Sequence, residues 1–168
     1  MSLDGFIAGP NDDLGFLDPM QQEGEDYGYG AFIATIDTVI LGHRTYEKVQ
    51  SMGVAFPHAD KQTYVISRQP LPPQGKTTFY TGDLEALVKE IRSREGKHIF
   101  VDGGAHVVNE LLQRQLIDEF FISVIPAMLG EGISLFRGGR PTLPLTLVSA
   151  KKFSTGLVQL HYTKSPIP

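Results

Sequence analysis

Asp37-Thr38-Val39-Ile40-Leu41-Gly42-His43-Arg44-Thr45-Tyr46 is the stretch on which the fold class turns. Its first half is a short, β-branched apolar run, which at this length reads as a buried strand. Gly42 ends the run, and the residues behind it open a helix. Thr63-Tyr64-Val65-Ile66-Ser67 and His98-Ile99-Phe100-Val101 repeat the strand half of that pattern, each closed by a polar or glycine break. Helical patterns lie between and beyond them. Leu84, Leu87, Val88 and Ile91 fall at i, i+3, i+4 and i+7, after a candidate N-cap at Asp83 and before Gly96. Val107, Val108, Leu111 and Leu112 repeat the spacing behind Gly103-Gly104, and the segment from Tyr29 to Thr35 is a shorter helix candidate. Strands that alternate with helices predict crossover units and a largely parallel sheet.

Beyond Leu116 the pattern changes. Ile117 to Ile125, Thr146 to Phe153 and Leu157 to Thr163 are strand-like with no helix between them. The last two, joined around Ser154-Thr155-Gly156, predict a hairpin. Phe120 and Phe121 with Ile122, Val124 and Ile125 read as a strand buried on two sides, or partly as a dimer face. The expectation is therefore an α/β protein with a mixed sheet. Proline and glycine punctuate the whole length without a linker, so residues 1–168 read as one domain.

Composition narrows the function classes. A chain of 168 residues with 41% hydrophobic and 20% charged residues holds a core of its own and is not a disordered chain. There is no cysteine, which excludes a disulfide framework, a thiolate metal site and a cysteine nucleophile, and fits a reducing compartment. A formal net charge of -4 argues against a nucleic-acid partner. The longest apolar stretch, Phe120 to Leu129, is half a membrane span and no basic leader opens the chain, so no membrane and a cytoplasmic location are expected. The histidines at 43, 58, 98, 106 and 161 show no paired ligand spacing, so no metal is expected, and neither a GxSxG elbow nor a Walker loop is present.

Ligands of open α/β sheets gather at the carboxyl ends of strands, and three strand-end breaks draw attention. Gly42-His43-Arg44-Thr45 opens a helix, whose first N–H groups and positive dipole end attract phosphate, with Arg44 as a bidentate donor. A capped helix with a solvated arginine explains the same residues. Asp102-Gly103-Gly104-Ala105-His106 allows a ligand close to the main chain, or is simply a tight turn. Ser67-Arg68 offers a hydroxyl and a cation, or a solvated loop. Three such features at successive strand ends suggest an extended, multiply phosphorylated ligand.

Ser2-Leu3-Asp4-Gly5-Phe6-Ile7-Ala8, Leu41-Gly42-His43-Arg44-Thr45-Tyr46-Glu47 and Phe100-Val101-Asp102-Gly103-Gly104 resemble the dihydrofolate reductase superfamily. The run from Ile125 to Phe136, with its proline, glycines and Leu-Phe, is similar to the branch that holds the reductase domain of riboflavin biosynthesis. The likeness runs from Ser2 to about Tyr162. It implies a mixed sheet of about eight strands flanked by helices, mostly parallel with a C-terminal antiparallel hairpin, and NADP(H) bound across the strand ends. Gly42, His43, Arg44 and Thr45 would meet the cofactor's phosphates and ribose, and Ser67 and Arg68 its adenosine and 2′-phosphate. Asp102, Gly103, Gly104, Ala105 and His106 would hold the pyrophosphate, with a cis bond between the glycines, and Ala8 would complete the cofactor set. The implied reaction is hydride transfer from NADPH to a small pterin- or pyrimidine-like heterocycle; the alternative is a non-catalytic NADP-binding protein that keeps the fold. Asp4 is the first candidate proton donor, although Asp-Gly is also a favoured turn pair. Asp26 is the second, with Tyr27 on the substrate side, although an acidic first helical turn explains Glu25-Asp26 as well. Relatives are often dimers, so a homodimer is expected. The family's hydrophobic first strand has no counterpart before residue 1. Either it lies outside this sequence or another segment fills its place.

Overall fold

Val39, Ile40 and Leu41 have no solvent exposure (0% each), as a parallel strand covered on both faces requires. They lie in β2 (Ile36–Gly42) of the computed structural model, which describes residues 1–139 and 141–165. The chain divides into a central unit, Gly28–Leu111, and a terminal unit made of Met1–Tyr27 and Leu112–Pro168.

The central unit is a parallel sheet built around β2. Its strand order is β4 (Thr77–Tyr80), β3 (Gln62–Ile66), β2, β5 (His98–Gly103). Gly42 stands opposite Ile66 on one side, and Leu41 opposite Gly103 on the other. Helices α1 (Tyr29–Ile33), α2 (His43–Ser51) and α3 (Leu84–Arg92) follow the predicted segments, and α4 (Ala105–Gln113) begins in this unit. Asp83 caps α3 by accepting from the Ala86 N–H at 2.9 Å, and Leu84, Leu87, Val88 and Ile91 form its buried stripe. The core joins Ile36, Val39, Leu41, Tyr46, Val65 and Phe79. Edge-to-face rings tighten it, among them Tyr46 on Phe56 at 5.2 Å and Phe32 on Phe100 at 5.0 Å.

The terminal unit is antiparallel. β6 (Glu119–Val124) pairs with β9 (Val158–Lys164), and β9 with β8 (Leu145–Lys152), which is the hairpin expected around Ser154-Thr155-Gly156. A two-stranded ladder joins β1 (Phe6–Ala8) to β7 (Ile133–Ser134). Its core holds Met20, Ile125, Phe153 and Leu157. Ser2 forms a parallel bridge with Ile125, and the Met1 ammonium donates to the Ser123 carbonyl at 2.6 Å. The first two residues thus run beside the end of β6.

The α/β class and the mixture of parallel and antiparallel pairing stand as expected. The strands number nine among the described residues rather than eight, and parallel ladders are confined to the four-stranded sheet. β6 is not buried on both sides. Phe120 is 8% exposed but Phe121 is 45% exposed, because the antiparallel strand turns only alternate residues inward. Phe121 instead stacks on His161 at 4.0 Å. Among the described residues no helix is long and apolar enough to cross a membrane.

Candidate functional site

The chain lays β3 and then β4 on one side of β2 and returns to place β5 on the other, so strand order reverses between β2 and β5. A crevice at the carboxyl ends of two such strands is the usual ligand position in an open α/β sheet. Gly42 ends β2 there and Gly103 ends β5. A Cβ built on Gly42 would stand 3.6 Å from the Gly104 nitrogen, and one built on Gly104 would meet Thr45 Oγ1 at 2.8 Å. Gly103 has φ +117° and is joined to Gly104 by a cis peptide bond. Gly42, Thr45, Gly103 and Gly104 therefore come together as a junction of nearly bare backbone. A Cβ at 104 would force the Thr45 side chain to shift.

Around it, α2 starts without a side-chain cap, leaving its first N–H groups uncommitted to any capping side chain. His43 lies edge-on to Phe79 at 5.9 Å and 3.7 Å from Glu47, so its ring is partly packed. Arg44 follows in the first turn. Ser67 and Arg68 continue from the carboxyl end of β3. The Ser67 hydroxyl is occupied within its own turn, donating to the Gln69 carbonyl at 2.8 Å and accepting from the Gln69 N–H at 3.2 Å. Arg68 is exposed and, among the described residues, makes no hydrogen bond or ion pair. Ala105 is buried at the start of α4, and the His106 side chain is exposed beside Glu110 at 3.7 Å.

Asp102 stands apart from the other strand-end residues. Its Oδ2 lies 3.0 Å from Nε2 of His58, a buried histidine that no spacing rule in the sequence ties to it. Tyr29 is close enough to feel this carboxylate. Partial burial, then the charges of Asp102 and Asp60, push its phenol above the usual range. The only sequence signal for His58 is its place behind Phe56-Pro57, and that signal speaks of packing.

In the terminal unit Asp4 is fully engaged. Ser2 Oγ donates to Oδ1 at 2.6 Å, the Leu129 N–H lies 3.1 Å from both oxygens, and the Gly130 N–H meets Oδ2 at 2.7 Å. The Ser2 bond first, and then the backbone N–H of Gly130, hold its carboxyl down to about 2. These bonds are the turn chemistry that the Asp4-Gly5 pair also allowed. Asp4 is a clamp on the Ala127–Gly130 loop. Asp26 is exposed. Tyr27 adopts φ +54°, held by its hydroxyl on the Met20 carbonyl at 2.5 Å and by its own N–H on Glu25 at 2.8 Å. It helps line a shallow cavity of about 560 Å³ with Leu17, Met20, Glu23 and Glu25. Ala8 is buried, and its carbonyl would lie 2.1 Å from a Cβ at Gly132.

Comparisons with known proteins agree with this architecture. The model of the RibD C-terminal domain matches residues 1–159. The chain is 40% identical to the uncharacterized protein YwjB of Bacillus subtilis (strain 168), over 98% of this chain and 94% of that one. A solved structure from Shewanella sp. PV-4, named for riboflavin biosynthesis, superposes with a TM-score of 0.90 at 26% identity, covering 99% of this chain and 96% of that one. A pyrimidine reductase-like protein of Corynebacterium diphtheriae shares the fold, with a TM-score of 0.69 at 14% identity over 99% of this chain and 90% of its own.

Proposed function

The chain belongs to the RibD C-terminal domain family, and from that premise we propose that it is an NADPH-dependent reductase that delivers a hydride to a small pterin- or pyrimidine-like heterocycle. The observation that carries this reading is the bare-backbone junction of Gly42, Gly103 and Gly104 at the reversal of strand order. Its chemistry fits a phosphorylated dinucleotide. Backbone N–H groups and a helix N-terminus suit the pyrophosphate, and Arg44 and Arg68 suit the remaining phosphate charge. On this reading Gly42 to Thr45 and Gly103 to His106 hold the pyrophosphate and ribose, and Ser67 and Arg68 flank the 2′-phosphate. When bound, the nicotinamide supplies the hydride, so the protein's task is to orient it and exclude water. Asp4 and Asp26 are the two carboxylates that could deliver the proton, Asp26 being the exposed one.

NADPH and NADH titrated into the purified protein test the reading. Binding of NADPH in the micromolar range, with NADH weaker, is expected, followed by oxidation of NADPH when a pterin, pyrimidine or quinone acceptor is added. No binding of either nucleotide would sink it. The engagement of Asp4 favours a second reading, a protein that binds NADP(H) without turnover. Steady oxidation with any of those acceptors rules that out.

We also propose a homodimer and a cytoplasmic setting. Support for the dimer comes from β8, an edge strand whose Leu145, Leu147 and Val148 are all exposed. Antiparallel pairing of two copies of β8 would keep Lys151 and Lys152 of each away from those of the other. Sedimentation of the wild type at twice the monomer mass is the expected result.

A further inference from the structure

His58 sits in the loop ahead of β3, and its side chain is 3% exposed. Phe56 and Phe100 present their rings edge-to-face to it, at 5.5 Å and 6.0 Å. In such an aromatic cage a third phenylalanine would pack without any polar cost. The histidine instead places Nε2 3.0 Å from Asp102 Oδ2 and leaves Nδ1 buried with no hydrogen-bond partner among the described residues. An ionised carboxylate can only accept, so Nε2 is the donor and Nδ1 the orphaned lone pair. A buried polar atom without a partner calls for an explanation, and packing does not provide one.

The explanation lies on the far side of the bond. The Asp102 side chain is 30% exposed and sits at the carboxyl end of β5, next to Gly103. Among the described residues its second oxygen, Oδ1, accepts no hydrogen bond. One oxygen is fixed from beneath and the other is left open beside the glycine junction. We propose that His58 is a positioning residue, which fixes the Asp102 carboxylate so that Oδ1 accepts a hydrogen bond from a donor on the bound dinucleotide. This rests on the reductase reading and adds to it the residue that orients the acceptor.

The test is NADPH titration, followed by nicotinamide fluorescence, of the wild type, H58F, H58Q, D102N and the H58F/D102N pair, each with a thermal melt. H58F keeps a ring in the cage and removes both nitrogens, the Nε2 donor and the unpartnered Nδ1; Gln restores a donor near the position of Nε2. H58F and D102N should each weaken NADPH binding about tenfold, the pair should be no weaker than D102N alone, and H58Q should recover most of the affinity. Wild-type affinity in H58F, or losses that multiply in the pair, would overturn the proposal while leaving the reductase reading intact. If H58F fails to melt cooperatively, H58Q against D102N decides: equal losses in the two overturn it. A wild type that binds no dinucleotide would overturn the reductase reading and this proposal together.

Discussion

Asp4 and Asp102 both stand directly before a glycine, one just ahead of β1 and the other at the end of β5, and they end in opposite circumstances. Asp4, in the terminal unit, receives hydrogen bonds on both oxygens, from Ser2, Leu129 and Gly130. Asp102, in the central unit, receives one, from His58, and keeps an oxygen open. The contrast extends to their neighbours. Near Asp4, Ala8 and Gly132 touch backbone to backbone, and Tyr27 is bonded to Met20 and Thr155. Around the junction near Asp102, a helix start has no capping side chain and Arg68 has no partner among the described residues. One unit uses its polar groups to hold itself together; the other leaves several for something else. An Asp-Gly pair therefore says little alone, and the donors that reach it from elsewhere decide its role.

Substituting glycines on the two sides should separate these roles most sharply. Gly132→Ala forces a Cβ to 2.1 Å from the Ala8 carbonyl at φ +139°, so something in the β1–β7 ladder must move. A stability loss of about 3 kcal/mol or more is expected, a fall of roughly 6–12 °C in melting temperature, with NADPH affinity of the folded fraction unchanged. Equal damage to affinity would break the comparison. Gly104→Ala should do the reverse. Its Cβ meets Thr45 Oγ1 at 2.8 Å, and NADPH binding should weaken about a hundredfold, or roughly 2.7 kcal/mol, with the melting temperature down by only a few degrees.

Arg68→Ala comes next. With no partner among the described residues to lose, it should melt like the wild type and weaken NADPH binding about tenfold, roughly 1.4 kcal/mol, while NADH binding stays the same. An equal loss for both nucleotides would show that Arg68 does not read the 2′-phosphate. The smallest effect belongs to Asp4 and depends on pH. Its folded value of about 2 lies below the ordinary 3.8 of an aspartate, so the unfolded chain binds the extra proton between those values. Its contribution is present above about pH 4 and disappears as pH falls toward 2. Asp4→Asn should lower the melting temperature modestly at pH 7 and converge with the wild type near pH 2. Curves that stay parallel down to that pH would remove the clamp.

β2, β3, β5, α3 and α4 were legible in the sequence because each carries its own burial pattern. Val39 to Leu41 need no partner to read as a strand, and Leu84 to Ile91 none to read as a helix stripe. β4 was not legible. Thr77 to Tyr80 is short, follows three prolines and Gly75, and becomes a strand only by pairing with β3. β1 and β7, of three and two residues, exist only through each other. The same limit governed the site. Glycines at 42, 103 and 104 could be seen as permissive, but their meeting at Thr45 depends on the register between β2 and β5. The His58–Asp102 bond spans 44 positions and the Asp4–Leu129 bond 125, and neither end advertises the other.

The way the chain divides between the two units also sets an order of assembly. Gly28–Leu111 is one uninterrupted segment, so all of its sheet is available as soon as a ribosome has passed α4. The terminal unit is split. Ser2, Asp4 and β1 precede the central segment, yet their partners Ile125, Gly130 and Ile133 follow it. Closing so long a loop is cheaper if the intervening chain has already folded and its length is taken up in a compact body. The central sheet can then form ahead of the terminal unit, while Ser2, Asp4 and β1 wait for residues beyond α4 to find their places.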